Sequence, residues 1–149
     1  YCKGSYSTLT KYCNKSSYGY NGYTDNKTVL DLADDAARAN WGGNWRMPTD
    51  AEWTELLNAS NCTWTWTTQN GVNGRKVTSK KTGNSIFLPA AGYRDDSSLY
   101  TAGSYCYYWS SSLDTDTPYN AYCVSFSSSE VYRNSYYRSY GQSVRAVMK

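Results

Sequence analysis

The side chains that could do chemistry in this chain are carboxylates, thiols and phenols, because the sequence contains no histidine. Without histidine, neither a Ser-His-Asp nor a Cys-His nucleophilic site can be built, and the commonest general base near neutral pH is missing. Two pairs of adjacent acids remain, Asp34-Asp35 and Asp95-Asp96, and each is typical of a solvated surface. A glycosidase needs two carboxyl groups that face each other across a sugar, which adjacency does not provide. The sequence therefore predicts no catalytic residue and no enzyme.

The five cysteines do not form a recognisable metal or redox motif. Their odd count leaves at least one thiol unpaired within the chain, none of them is spaced as CxxC, and the absence of histidine argues against structural zinc. The sequence leaves open whether Cys13 and Cys62 form a disulfide. No EF-hand spacing, P-loop or GxGxxG occurs. We therefore expect no metal and no cofactor.

Phenols are the functional groups in surplus. The chain has 17 tyrosines but only 2 phenylalanines, so much of its apolar area carries a polar tip. The segment VYRNSYYRSY, residues 131–140, combines four tyrosines with two arginines and little that a core would need. Antibody loops use the same combination, with rigid tyrosine for contact area and small serine for adaptable hydrogen bonds. The segment predicts a binding surface, with an ordinary tyrosine-covered strand as the alternative.

Two short helices are predicted in the first half of the chain to hold this surface. Over residues 31–41 the apolar positions recur at helical spacing, and Gly42 supplies a C-terminal stop. Further on, Thr49 and Glu52 have the spacing of a capping box, which predicts the start of a second helix. Trp53 begins the buried stripe of that helix.

The second half of the chain changes to the period of β-strands. Its apolar, β-branched and aromatic runs predict strands at 76–79, 85–88, 107–111, 122–126 and 143–147. In the fourth of these the residue types alternate, so successive side chains point to opposite faces. The core face is expected to carry Tyr122, Val124 and Phe126, and the displayed face Cys123, Ser125 and Ser127. Helices followed by many short strands indicate an α+β fold.

Length and charge limit the remaining options. A chain of 149 residues is sufficient for one domain with a core, so we predict a single domain over 1–149. The net charge of +3 is small and spread along the chain, which does not suggest a nucleic-acid partner. No apolar run approaches the ~20 residues that span a bilayer, so no membrane insertion is expected. The start at Tyr1 without a methionine suggests a processed or trimmed product.

Four ordered motifs carry a family resemblance. The stretch WGGNWRMPTDAEWTEL, residues 41–56, resembles the bacterial branch of the C-type-lectin-fold superfamily, which includes the formylglycine-generating enzymes. With SIFLPAAGYR (85–94), YYWSSS (107–112) and GQSVRAV (141–147), the chain more closely resembles the Fibrobacter succinogenes major paralogous domain. The resemblance covers most of the chain from about Leu9 onward, without the family's usual opening segment.

This resemblance implies a C-type lectin fold of the α+β class, with two helices packed on a twisted antiparallel sheet and long loops. It implies an Arg46–Glu52 polar pair, with an exposed Arg46 as the alternative, and a core that includes Trp41, Trp45, Trp53 and Trp109. The calcium and sugar signatures of the lectins do not occur in this sequence, so calcium-dependent sugar binding is not implied. The reactive cysteine pair of the enzyme branch has no counterpart either.

The chain also resembles the variable proteins of diversity-generating retroelements, whose C-terminal region is rewritten at adenines. Substituting the two adenines of an AAC codon yields Tyr, Ser, Asp, Asn and Cys among others, which are the residues that dominate the segment 93–140. The resemblance implies that this segment is a variable ligand-binding region. The residues expected to contact the ligand are Tyr100, Tyr105, Asp114, Asp116, Tyr119, Cys123, Ser125, Ser127, Tyr132, Asn134, Tyr136, Tyr137 and Tyr140.

We therefore expect a non-enzymatic, adhesin-like binding module outside the cell, on a bacterial surface or a phage tail. A protein is the first expected ligand, because flat tyrosine-rich surfaces suit protein epitopes, and a glycan is the second. The alternatives are an enzyme of the formylglycine-generating type and a structural surface or assembly domain. The oligomeric state is left open.

Overall fold

Antiparallel strands form most of the regular structure in residues 1–148, the part of the chain that the computed structural model describes. The strands, in chain order, are β1 (Trp45–Arg46), β2 (Cys62–Gln69), β3 (Val72–Ser79), β4 (Ser85–Pro89), β5 (Tyr93–Asp95), β6 (Ser98–Tyr100), β7 (Cys106–Leu113), β8 (Asn120–Phe126), β9 (Val131–Tyr137) and β10 (Val147–Met148). The α-helices are α1 (Ala36–Trp41) and α2 (Asp50–Leu57). Two short 3-10 turns, Ser16–Tyr18 and Tyr20–Gly22, precede them.

The strands pair into small sheets. β2, β3 and β4 form one three-stranded meander, and β7, β8 and β9 form another, with β8 in its centre. β5 pairs with β6, and β1 pairs with the terminal strand β10. Because both meanders connect sequential neighbours, their pairing is local and their register follows the turns between the strands.

The α+β assignment and its C-type lectin arrangement are wrong. Strands make up 41% of the structure and helices 14%, in four small antiparallel sheets, which is a β-rich fold. The physical reason is helix length: α1 has 6 residues and α2 has 8, too few to cover a sheet as a layer. Helix α1 begins five residues later than predicted because Asp35 is its N-cap and accepts hydrogen bonds from the amides of Ala37 and Arg38.

Several local predictions are confirmed. The capping box at the start of α2 is present, with Thr49 and Glu52 each accepting from the other residue's backbone amide. Arg46 and Glu52 form the expected pair through two hydrogen bonds of 2.6 and 2.7 Å. The strands at 76–79, 85–88, 107–111 and 122–126 lie within β3, β4, β7 and β8. The strand expected at 143–147 is wrong, since only the short β10 forms there.

The core lies between the two meanders and α2. It contains Trp53 from α2, Leu88 from β4, Tyr108 from β7 and the β8 residues Val124 and Phe126. The prediction of four core tryptophans is only partly right. Trp53 is buried, whereas Trp41 is 60% exposed at the end of α1; Trp45 and Trp109 are half-buried and pack against a smaller cluster around Met47.

Candidate functional site

The β7-β8-β9 sheet has one face in the core and a second face that the sequence predicted to be displayed. On the second face Tyr107 and Tyr132 flank Ser125 from the two sides, since each is its cross-strand neighbour. Cross-strand partners share a face of the sheet. This face therefore presents large phenols from the outer strands and small residues from the central one.

The small residues of the central strand are covered rather than displayed. The rings of Tyr107 and Tyr136 come from opposite sides of β8 and meet at a centroid distance of 5.2 Å in an edge-to-face arrangement. Beneath them Cys123 is 1% exposed, and burial raises the pKa of its thiol to about 12. Ser125 is buried as well and accepts a hydrogen bond of 2.6 Å from Asn134. The alternation of faces was predicted correctly, but the display of Cys123, Ser125 and Ser127 was wrong, since all three are buried.

Two further predicted contact residues have structural roles. Asp114 is buried, and its carboxylate accepts hydrogen bonds from the amides of Asp116 and Thr117 and from the Ser135 hydroxyl at 2.7 Å. Ser127 is buried at the end of β8, where its carbonyl accepts a bond from Arg75. These positions form a turn and a strand end, so a ligand cannot reach them from solvent.

The phenols, by contrast, come together in one group. Neighbouring rings in this group have centroids 5.1–5.6 Å apart. Tyr93 contacts Tyr100, Tyr107 and Tyr140, and Tyr107 in turn contacts Tyr136. Tyr140 contacts Tyr137, which contacts Tyr119, and Tyr119 contacts two tyrosines of the N-terminal segment. We call this group the tyrosine cluster. Its members are Tyr6, Tyr18, Tyr93, Tyr100, Tyr107, Tyr119, Tyr136, Tyr137 and Tyr140.

The tyrosine cluster includes five of the predicted contact residues and leaves others beside it. Tyr100, Tyr119, Tyr136, Tyr137 and Tyr140 are the five. Tyr105 and Tyr132 are exposed but make none of these ring contacts, and Asp116 is exposed at the turn before β8. Asn134 is half-buried and supports Ser125.

A cleft opens within the cluster. Its volume is about 360 Å³, and its walls are formed by phenols of β5, β7, β9 and the flanking loops. The side chains of Asn120 and Gln142 complete the lining. We call it the carboxamide cleft; the residues that line it are Tyr93, Tyr107, Tyr119, Asn120, Ser135, Tyr136, Tyr137, Tyr140 and Gln142.

The carboxamides of this cleft lack hydrogen-bond partners. In residues 1–148, four buried side-chain polar atoms have none, and three of these belong to residues that line the cleft: Oδ1 of Asn120 and both Oε1 and Nε2 of Gln142. The fourth is Oδ1 of Asn14. Buried polar atoms without partners are uncommon and unfavourable, and a local concentration of them is typical of sites that are completed by water or ligand.

A second cavity of about 400 Å³ lies behind the cleft and shares Tyr140 and Gln142 with it. Apart from the Gln142 amide, no buried side-chain polar atom of its lining lacks a hydrogen-bond partner. Asp34 accepts hydrogen bonds from Tyr1, Tyr12 and Lys11, and the Lys11 bond is the main cause that lowers the pKa of this carboxyl below its usual range. The Gln142 amide is therefore shared by both cavities, and the cleft differs from this cavity in that it also has the unpaired Oδ1 of Asn120.

The sequence did not predict the contributions of Tyr93, Tyr107, Asn120 and Gln142, nor those of Tyr6 and Tyr18. The first two were visible as tyrosines in the biased region, so composition alone could have nominated them. Tyr6 and Tyr18 lie about 100 residues from their partner Tyr119, and only the tertiary structure places them beside it.

The cysteines and acids supply no metal site in the described part of the chain. All five thiols are free, so the Cys13–Cys62 disulfide does not form, and no group of three or more potential ligands converges within residues 1–148. Cys106 is buried like Cys123, and burial raises the pKa of its thiol too. Over the same residues, no helix has the length and apolar character needed to cross a bilayer.

A family model described as "Domain of unknown function (DUF8237)" matches residues 64–147, which is more than half of the chain. The matched segment begins within β2 and contains the whole lining of the carboxamide cleft, but not Tyr6 or Tyr18. No curated protein and no solved structure is significantly similar to the chain.

Proposed function

The chain belongs to the family described as Domain of unknown function (DUF8237), and we propose that it is a non-enzymatic module that binds a ligand through the tyrosine cluster. The single observation that carries this proposal is the continuity of nine phenol rings over one surface. Tyrosine has only two side-chain torsions, so ordering it against a partner costs little entropy, and it is enriched among the residues that dominate binding energy.

The exposed rim of this surface favours a macromolecular ligand. Tyr132 is 51% exposed, Tyr137 48% and Tyr100 44%, although each has a large apolar ring. Arg133 follows Tyr132 in β9, so its side chain projects from the opposite face of the sheet, where it donates two hydrogen bonds to Asp50 and lies over the Tyr122 ring. A protein is the first proposed ligand, since a broad aromatic rim suits a protein epitope. A glycan is the second, favoured by the concave carboxamide cleft.

The biased composition of residues 93–140 supports the further proposal that the chain is a variable protein of a diversity-generating retroelement, displayed outside the cell on a bacterial surface or a phage tail. The tyrosines of the cluster, apart from Tyr6 and Tyr18, belong to this segment. The genome tests this proposal directly. It predicts a nearby reverse transcriptase gene and a near-copy of the final coding segment that differs only at adenines; absence of both would overturn it.

The rival enzyme of the formylglycine-generating type would need two reactive thiols beside a cleft. Cys106 and Cys123 are buried, and the raised pKa of each keeps the thiol protonated at neutral pH. The thiolate is the nucleophilic form, so these cysteines favour the binding proposal. Thiol titration of the folded protein separates the two functions, because the enzyme requires rapid reaction at both positions.

The binding proposal is tested with fluorescently labelled protein on a panel of intact Gram-negative and Gram-positive cells, with and without trypsin treatment of the cells. The Tyr132→Ala/Tyr137→Ala double variant should lose at least tenfold in affinity for any cell type that the wild type binds. The matched control is Tyr20→Ala/Tyr23→Ala, which removes two exposed tyrosines outside the cluster. Equal binding by all three proteins would refute the role of the cluster and of Tyr132 beside it. Loss of self-association without loss of cell binding would favour the structural or assembly alternative.

A further inference from the structure

We infer that the carboxamide cleft is a subsite for an uncharged, hydroxyl-bearing ring, which is the chemistry of a neutral sugar unit. The inference rests on the proposed binding function and specifies the ligand chemistry of one part of its surface. The sugar unit could belong to a free oligosaccharide or be attached to a protein, and the two sources share the same chemistry at the cleft.

The unpaired carboxamides indicate hydrogen bonding with the ligand. Gln142 lacks a partner at both its acceptor and its donor atom, and Asn120 lacks one at its acceptor. A hydroxyl group donates and accepts, so adjacent hydroxyls can pair with acceptor and donor together, directly or through a trapped water. A purely apolar ligand would leave all three atoms unpaired.

The charge of the lining excludes ionic ligands. Every side chain that lines the cleft is a phenol, a hydroxyl or a carboxamide. Burial raises the pKa of Tyr107 to about 12 and also raises the pKa of Tyr136, so these phenols stay neutral. Ser135 of the lining donates to Asp114, which is a buried carboxylate. An anion would meet no cation here and would be repelled by this carboxylate.

Aromatic walls by themselves would also suit a quaternary ammonium ion, which binds over ring faces. Such an ion has no hydrogen-bonding group and could not pair with Gln142 or Asn120. A sugar ring has an apolar C–H face for the tyrosine rings and a hydroxylated edge for the amides. The volume of about 360 Å³ lies at the lower end of the roughly 300–1,000 Å³ range of small-molecule sites, which suits a short saccharide.

The test uses the full chain on an array of neutral hexose and N-acetylhexosamine oligosaccharides, printed beside sialylated and sulfated forms of the same glycans. Choline chloride is titrated separately by calorimetry. We expect binding to one or more neutral glycans, at least tenfold weaker binding to their anionic forms, and no heat of binding with choline. Binding that is restricted to anionic glycans, or to choline, would overturn the inference.

Variants locate the binding to the cleft. Gln142→Met keeps the length of the side chain and removes its hydrogen bonds, so we expect neutral-glycan affinity to fall about tenfold while the far-ultraviolet spectrum stays unchanged. The matched control is Gln69→Met at the exposed end of β2, which should bind as the wild type does. Unchanged glycan binding by Gln142→Met would overturn the placement.

The outcome also separates this inference from the proposed function. If neutral glycans do not bind but cells are bound in a manner that requires Tyr132 and Tyr137, the sugar subsite is wrong and the binding surface remains. If trypsin treatment of the cells abolishes binding while free neutral glycans still bind, the sugar is carried on a protein. If neither cells nor glycans bind, both proposals fail.

Discussion

Tyr107 of β7 and Tyr136 of β9 meet edge to face above the central strand β8, with ring centroids 5.2 Å apart. Neither strand is adjacent to the other, so this contact exists only because β8 carries small side chains at Cys123 and Ser125. The two rings therefore seal one face of the sheet and form part of the wall of the carboxamide cleft. The same pair of phenols therefore covers Cys123 and lines the cleft.

Removal of one ring should uncover the cysteine beneath. Tyr136→Ala is expected to bring Cys123 into contact with solvent and lower its pKa from about 12 towards the ordinary thiol value, because desolvation is the main cause of the shift. Iodoacetamide labelling at pH 8, mapped by peptide mass spectrometry, should then modify Cys123 at least tenfold faster than in the wild type.

Two controls show whether the labelling reports local uncovering of Cys123. Cys106 lies on the opposite, core face of the sheet and should stay protected, which distinguishes uncovering from global unfolding. Tyr132→Ala removes an exposed ring and should leave Cys123 unreactive. Protection of Cys123 in folded Tyr136→Ala would contradict the sealing role.

The Arg46–Glu52 pair should make the protein sensitive to acid. Hydrogen bonds from Arg46 are the largest cause that lowers the pKa of Glu52 to about 2, from a model-peptide value of 4.5. The carboxylate therefore contributes stability above pH 4.5, and this contribution is lost as the pH falls from 4.5 to about 2. Glu52 is 39% exposed in its side chain, so screening reduces the contribution.

We expect Glu52→Gln to lower the free energy of unfolding by about 1 kcal/mol at pH 7, through the weakened pair and capping box, and to have little effect at pH 2. Urea unfolding at a series of pH values measures this difference. Glu55→Gln, on the exposed side of the same helix, is the control. A loss at pH 2 as large as that at pH 7 would show that the charge is not involved.

Arg75 should be irreplaceable by lysine. Its guanidinium is buried and donates to the carbonyls of Trp64, Ser127 and Ser128 at 2.9–3.0 Å, which fixes the β8–β9 turn against the first meander. Lysine keeps the charge but has one nitrogen and no fork, so it cannot reach all three carbonyls. Arg75→Lys is expected to cost about 2–3 kcal/mol of unfolding free energy.

Denaturant unfolding checks this prediction, and faster amide exchange at residues 127–130 should accompany the loss. Lys76→Ala, at the exposed neighbouring position of β3, should change stability by less than about 0.5 kcal/mol. Arg75→Lys as stable as the wild type would mean that the turn is held by other contacts.

The buried phenols should make the fold sensitive to base. Burial raises the pKa of Tyr107 to about 12, above the value of 10 in the unfolded chain. Its contribution to stability is complete below pH 10 and is lost as the pH rises to about 12, because only the unfolded state loses the proton in that interval. Phenylalanine has no proton to lose, so between pH 10 and pH 12 the Tyr107→Phe variant should lose about 1–2 kcal/mol less unfolding free energy than the wild type loses.

Thermal unfolding between pH 9 and pH 12 measures the slope of stability against pH. Tyr20→Phe, at an exposed position outside the cluster, is the control and should leave the slope as it is in the wild type. The same slope in Tyr107→Phe and the wild type would show that Tyr107 does not titrate in this interval.

Local interactions of short range in the chain were predictable from the sequence. The capping box of α2 needs only Thr49 and Glu52 three residues apart, and the alternation of residues 122–127 fixes which side chains share a face. The antiparallel pairing of β3 with β4 follows from the short turn between them. The tyrosine surplus also identified the segment that contains most of the candidate site.

The tertiary structure alone decided how these local pieces are covered. Period-two alternation assigns two faces but does not say what lies over each, and Cys123 is buried because rings from two other strands reach across it. The β-rich architecture likewise depends on how short helices and many strands pack, since α1 and α2 are too brief to form a layer. Gln142 joins the cleft through contacts distant in sequence, and such contacts leave no local pattern to read.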